Sequence, residues 1–366
     1  MTLKLQDLWQ HIQRQLFPVL VEEVGDLTDK DRLFVKIMAL VPSGPLMESY
    51  RWQGIGRKPE ERQWIFNAFV AKATYQFPTT RALIDALKAR PVLRRLCGWE
   101  STGDLPEEWT FSRAFAAFAL DELPQRVHAA LVRAQQGDKI VGHISRDATA
   151  IEGHEPPAPK PATEAAPALP KKRGRPKKGE VRPEAPPKRL ELQPHRSLEE
   201  NLADLPRVCD IGCKANSKGH TEYWVGYKLH VDTMDGDIPV SALLSSASMH
   251  DSQAAIPLAQ MTAQRVISLY DLMDAAYDAP PIHAFVRGLG HVPIIDPNPR
   301  RGEVIPLDPA QEERFKERSA AERVNSNLKD NFGGRFVRVR GAIKVMAHLM
   351  FGLIALTACQ FYQRLC

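Results

Sequence analysis

Near the C-terminal end, the segment from Phe315 to Lys329 reads as one helix, Phe-Lys-Glu-Arg-Ser-Ala-Ala-Glu-Arg-Val-Asn-Ser-Asn-Leu-Lys. At roughly 100° per residue, Phe315, Arg318, Glu322 and Lys329 fall within about 60° of one another. One narrow face thus carries an aromatic ring, a guanidinium, a carboxylate and an ammonium. A carboxylate can hold a divalent cation, and an Arg and a Lys one or two turns away can hold phosphates. Together they point to metal-assisted chemistry on nucleic acid. The competing reading is a solvated charged face tied by an i,i+4 pair between Arg318 and Glu322.

Two carboxylates upstream weigh against that competing reading. Residues 138 to 147 alternate apolar and polar side chains, as a strand does, and end at Asp147. Val266 to Met273 reads as a buried strand that ends at Asp274. Carboxylates at neighbouring strand ends can converge with one from a packed helix, here Glu322. Such a cluster can hold two Mg²⁺ ions, with Mn²⁺ as a substitute, and stabilise both oxygens of a phosphoryl displacement. Asp147 has a rival in Asp210, but an alternating strand leads directly into Asp147. Asp278 reads instead as a helix N-cap beside Pro280. His250 and Asp251 read as the polar end of a strand rather than a catalytic pair. Cys209, Cys213 and His220 have no fourth zinc ligand nearby and no standard spacing.

The elements that must position these groups follow from pattern and composition. The chain has 366 residues and a formal net charge of +5, enough for about two domains. Residues 1 to 135 read as an all-α domain with helices over Trp64–Tyr75 and, capped by Thr80, over Arg81–Ala89. Pro59-Glu-Glu is a good start for the first of these, and the tight break between them resembles a helix-turn-helix unit. Residues 136 to 366 alternate strands and helices, which suits a mixed α/β sheet. Strands are expected at Glu222–Val231, Pro239–Ser246 and His291–Ile295, with helices at Gln253–Gln264 and Ile282–Leu289, the latter closed by Gly290.

Residues 153 to 200, rich in Pro, Ala, Lys and Glu, interrupt this second domain as a disordered insertion. Within it, Lys171-Lys-Arg-Gly-Arg-Pro-Lys-Lys178 resembles an AT-hook, whose Arg173 and Arg175 would lie in a narrow A·T minor groove. A second basic stretch holds Arg335, Arg338, Arg340 and Lys344, suited to a phosphate backbone. The apolar run Val345–Cys359 reads as a buried core helix, too short to span a bilayer comfortably. Five irregularly spaced cysteines and the absence of a signal-like opening point to a reducing cytoplasm.

With these residues assembled, the chain resembles the DDE transposases of bacterial insertion sequences. Phe315-x2-Arg318-x3-Glu322-x6-Lys329 matches the spacing of the family's Tyr-Arg-Glu-Lys signature, with Phe in place of Tyr. Met273-Asp-Ala-Ala-Tyr-Asp278, Trp224–His230 and His250–Gln253 are similar to other family segments. The resemblance implies a ribonuclease-H-like mixed sheet flanked by helices behind a helical N-terminal domain. It implies Asp147, Asp274 and Glu322 as the metal-binding catalytic triad. It implies Arg318, Lys329 and the ring of Phe315 on DNA. The expected partner is double-stranded DNA, both element ends and target, bound by a homodimer away from any membrane. Two other readings would use the same residues: a nuclease of this fold that cuts without joining, and a transposase-derived DNA-binding protein without catalysis.

Overall fold

A computed structural model describes residues 5–54, 60–137, 139–159, 187–215, 219–299 and 305–364. The AT-hook-like stretch with Arg173 and Arg175, and the helix-start Pro59, lie outside these residues.

The first part of the chain is helical throughout: α1 (Leu5–His11), α2 (Phe17–Val24), α3 (Asp29–Leu40), α4 (Arg62–Thr74), α5 (Thr80–Ala89), α6 (Pro91–Cys97), α7 (Glu108–Leu120) and α8 (Leu123–Gln136). α4 is buried on nearly every side, as a run with so few polar residues requires. The break before α5 is where the sequence places it, but the cap is Thr79, one residue earlier than expected. Its side chain accepts from the Ala82 N–H at 3.0 Å.

A mixed six-stranded sheet follows: β1 (Ile140–Glu152), β2 (Asp210–Ala215), β3 (Thr221–Met234), β4 (Ile238–Ser246), β5 (Ile267–Met273) and β6 (Val292–Ile295). β1 runs antiparallel to β3 and parallel to β5, and β6 extends the parallel edge. β4 pairs antiparallel with the second half of β3, and β2 with its first half. The pivot is Gly226, at φ 151°, where a Cβ would sit 2.2 Å from the Ile151 carbonyl oxygen. Only glycine lets β1 approach there. This is the ribonuclease-H-like mixed sheet that the resemblance implied.

The flanking helices are α9 (Arg189–Leu192), α10 (Leu198–Asp204), α11 (Ser252–Ala263), α12 (Pro280–Gly288), α13 (Pro309–Phe315), α14 (Ser319–Asn331) and α15 (Ala342–Gln363). α12 ends in a Schellman motif on Gly290, with His291 N–H donating to the Val286 carbonyl.

Four features differ from the sequence reading. β1 does not end at Asp147; it runs five residues further, because Ala148 to Glu152 continue the pairing with β3. The stretch expected to be disordered to residue 200 is folded from Arg189 onward. It is held less by apolar burial than by amides: Gln193 Nε2 donates to the Gln253 carbonyl (2.7 Å) and Asn201 Nδ2 to Gln260 Oε1 (3.0 Å). The helix expected over Phe315–Lys329 is interrupted by a 3-10 turn at Lys316–Arg318. Ser145 Oγ of β1 donates to the Glu317 carbonyl at 3.0 Å, drawing that oxygen out of the α-helical ladder. Finally, α15 extends beyond the apolar run at both ends. Its 22 residues are long and apolar enough to cross a bilayer, yet here it is a core helix packed against α3, α4, α7, α8, α14 and β4.

Candidate active site

Asp147 and Asp274 come together through the parallel pairing of β1 and β5. Ile144 pairs with Asp271 and Ser145 with Leu272. Two residues further along the same register, Asp147 stands opposite Asp274, which leaves β5 in an extended conformation and caps a 3-10 turn at Ala275–Tyr277. Asp274 Oδ1 accepts the Ala276 N–H at 2.9 Å, which fixes that carboxylate at the strand end.

The electrostatics of the pair are those of anions held together without enough counter-charge. Burial pushes the Asp147 carboxyl up to about 6; Asp274 raises it further, while the Ala148 N–H, Arg318 and Lys214 pull it down. Asp274 is likewise raised by burial, with the Ala276 N–H, Arg318 and Lys214 opposing and Asp251 adding to the shift. One neutral side chain reaches Asp147 directly: Asn325 Nδ2 of α14 donates to its Oδ2 at 3.0 Å. The other side of that amide, Asn325 Oδ1, is buried with no hydrogen-bond partner, and so is the Tyr277 hydroxyl. Tyr277 lies within the field of Asp251, Asp147 and Asp274.

The helix carrying the signature packs over this face. Arg318 lies 5.9 Å from the Phe315 ring centroid and donates through Nη2 to Glu322 Oε1 at 2.6 Å. Phe315 and Arg318 are half-buried, and Glu322 is exposed. Lys329 is half-buried further along α14, its pKa lowered by burial, Arg335 and Lys214.

The structure therefore brings Asp147, Asp274 and Arg318 into one field but does not gather the three carboxylates. Among the described residues, no group of three or more His, Cys, Asp or Glu side chains is placed to hold a metal ion. Glu322 is turned to Arg318 instead. The residues present still suit a hard divalent cation in part. Two adjacent carboxylates with raised pKa values supply oxygen ligands of the kind such ions take. A third carboxylate would join only if Glu322 released Arg318.

Other expected residues lie elsewhere. Arg335 is tied to Asp330, and Arg340 Nε donates to the His154 carbonyl at 3.0 Å. Arg338 and Lys344 are exposed and border a separate cleft. Asp278 is not an N-cap: Ala279 takes that position, and the Asp278 carboxylate accepts from the Asn298 N–H and pairs with His283, both at 3.0 Å. His250 and Asp251 do not pair with each other. His250 Nδ1 meets Ser252 Oγ (2.8 Å), and Lys228 Nζ donates to Asp251 Oδ1 (2.9 Å). Sequence reasoning missed Asn325, Lys214 and the orphaned Tyr277 hydroxyl. Asn325 carried one signal, since it follows Glu322 by three residues on the same helix face. Lys214 carried none, being on a strand that was not foreseen.

Comparison with known families covers both halves of the chain. A model described as Transposase DDE domain matches residues 190–358, and one described as Transposase domain (DUF772) matches residues 22–117. Asp274 and Glu322 fall inside the first match; β1 with Asp147 lies ahead of it. No curated protein and no solved structure matches the chain.

Proposed function

We propose that this chain, which belongs to the DDE transposases of insertion-sequence type and so is a phosphoryl-transfer enzyme acting on DNA, binds the inverted-repeat ends of its element, cleaves them and joins the freed 3′-hydroxyl to target DNA. The observation that carries this reading is the register of β1 and β5, which sets two partly desolvated carboxylates side by side beneath an arginine.

Asp147, Asp274 and Glu322 are the proposed catalytic triad, and the first two are the residues that would hold a divalent ion in the arrangement seen here. Enzymes of this family use divalent metal ions; Mg²⁺ is the proposed ion, two per site, with Mn²⁺ able to replace it. Bound there, such ions would supply charge stabilisation at the attacking and leaving oxygens. The chain's own groups do the positioning. Asn325 holds Asp147 in one rotamer. Arg318 shields the two aspartates and lies within reach of an incoming phosphate. Entry of DNA would draw Arg318 toward the phosphate and free Glu322 to turn inward. Both steps of the reaction are in-line transfers, so holding the strands in register supplies much of the rate.

Residues 1–135 are proposed as the domain that recognises the element ends, and residues 136–366 as the catalytic domain. Phe315 and Lys329 would contact DNA beside the triad. Arg335, Arg338, Arg340 and Lys344 would track the backbone, and Arg173 and Arg175 of the insertion would enter the minor groove. A homodimer on double-stranded DNA follows from the need to act on two ends. The cytoplasm is the proposed setting, supported by Cys97, Cys209, Cys213 and Cys359 all being free thiols.

The test is a cleavage and joining assay on labelled duplexes bearing the flanking inverted repeats, in Mg²⁺ and in Mn²⁺, comparing wild type with Glu322→Gln. Nicks at the repeat boundary and joined products are expected from wild type alone. Normal cleavage by Glu322→Gln would remove Glu322 from the triad, and binding without cutting by wild type would refute the proposed reaction.

A further inference from the structure

A cleft of about 580 Å³ lies between the helical part of the chain and the segment after α14, sharing no lining residue with the carboxylate site. Its floor holds Lys72 of α4. That residue is nearly excluded from solvent, at 8% exposure, and among the described residues no hydrogen bond or ion pair engages its side chain. A largely desolvated ammonium without a counter-ion is costly. Burial lowers its pKa to about 8, so it stays mostly charged at neutral pH.

Nothing else in the cleft supplies the missing negative charge. Glu108 is already bonded to Arg81 at 2.8 Å. His348 is held neutral by burial and by Lys72, with its pKa pushed down to about 3, and its Nε2 sits 3.1 Å from the Gly333 carbonyl oxygen. The remaining groups add to the positive side. α5 begins at the rim, and Thr79 caps the Ala82 N–H, leaving the first amides of that helix without an acceptor inside it. Arg338 and Lys344 stand on the rim, and no carboxylate pairs with either among the described residues.

We propose that this cleft is a phosphate pocket for duplex DNA, in which Lys72, the start of α5, Arg338 and Lys344 take one backbone phosphodiester. The assignment rests on the DNA reading given above and adds a specific contact to it. A single phosphate would be gripped from one wall by the helical region and from the other by the segment that continues from the signature helix.

Lys72→Met tests this, because it keeps the length and apolar stem of the side chain and removes only an uncompensated charge, so the variant is expected to fold. Two readouts on the full chain are needed. In thermal scans, inorganic phosphate at constant ionic strength is expected to raise the midpoint of wild type and leave that of Lys72→Met unchanged. In titrations with a duplex of arbitrary sequence, the variant is expected to bind about tenfold more weakly, with a salt dependence shallower by about one phosphate contact. A phosphate response without any change in duplex affinity would mean the pocket takes free phosphate, and would overturn the DNA assignment. Wild type that binds duplex while Lys72→Met binds it equally well, with the same salt dependence, would overturn this proposal alone. Wild type that fails to bind duplex at all would overturn the proposed function and this assignment with it.

Discussion

Arg146 and Asp147 are consecutive residues on β1 that face opposite sides of the sheet, and their surroundings differ sharply. Arg146 is fully buried and its charge is answered. Nε and Nη2 each donate to Asp232 at 2.8 Å, and Nη2 also reaches Asp271 at 3.4 Å. Asp271 in turn meets His291 Nδ1 at 3.0 Å, and Thr262 donates to Asp232 at 2.6 Å. Asp147 accepts from the Asn325 amide and the Ala148 N–H and has Arg318 and Lys214 in its field, but no cation pairs with it directly among the described residues, and Asp274 stands beside it as a like charge. A balanced buried network holds strands in register, whereas an unbalanced one is unfavourable by itself and has a use only when something binds. The difference separates scaffold from candidate site without reference to any relative.

Three experiments can break or sharpen this contrast. The largest effect is expected from Asp147→Asn, which should lower cleavage by roughly a thousandfold, the loss of several kcal/mol of transition-state charge stabilisation. Its unfolding midpoint in the absence of divalent ions should stay equal to wild type or rise, since a repelled charge has been removed. A marked fall in that midpoint would show that Asp147 is scaffold after all. Next, Arg146→Met leaves Asp232 and Asp271 buried without their cation and should destabilise the fold by about 3–5 kcal/mol, read from urea denaturation. An unchanged midpoint would mean that the network carries no structural burden.

The smallest effect concerns pH. His230, on the same face as Arg146, is buried and its pKa is lowered to about 4. As pH falls from 6.5 toward 4, the unfolded chain takes up a proton there that the folded chain refuses, so stability is lost. Asp147 works in the opposite sense: with its carboxyl raised to about 6, the folded chain binds a proton more readily than the unfolded one between pH 6 and 3.8, so acidification adds stability. The two largely offset each other in wild type without divalent ions. Asp147→Asn should therefore lose stability more steeply on going from pH 6 to pH 4, by up to about 1.4 kcal/mol per pH unit. Parallel slopes in the two proteins would argue that Asp147 titrates normally.

Much of this arrangement was legible in the sequence, and the gaps have physical causes. β5 could be read through to Asp274 because a short apolar run stops abruptly at a carboxylate. β3, β4, α11 and α12 were found within a few residues for similar reasons. Asp147 was found for a reason that proved incomplete: the alternation that marks β1 fades after residue 147, where the short side chains of Ala148, Thr149 and Ala150 are all of intermediate exposure, yet the pairing with β3 continues. β2 escaped notice because it is a six-residue strand with largely exposed side chains, paired only with the first half of β3. Its Gly212 reads as a strand breaker, but in the folded chain it makes room for the Trp224 ring, which a Cβ would meet at 2.4 Å. The wheel over Phe315–Lys329 assumed an unbroken helix. The 3-10 turn that interrupts it depends on a hydroxyl 172 residues earlier, which no local pattern can report. The pairing of Glu322 with Arg318 was visible from spacing, but nothing in the sequence says which of the two partners, Arg318 or the aspartates, that carboxylate meets.

The position of α15 has a consequence for how the protein is made. The helices of the first 136 residues complete their core only against a segment that begins at Ala342, and His128 meets Thr357 across 229 residues of chain. At ribosomal speeds of about 5–20 residues per second, those helices wait on the order of ten seconds to most of a minute for their partner. During that interval Phe66, Phe69 and Phe115, which pack on Phe351 in the finished protein, lack that partner. The nascent chain thus exposes apolar surface for longer than its local helix pattern suggests, and a chain ending before α15 would lack the segment that closes the core of its helical region.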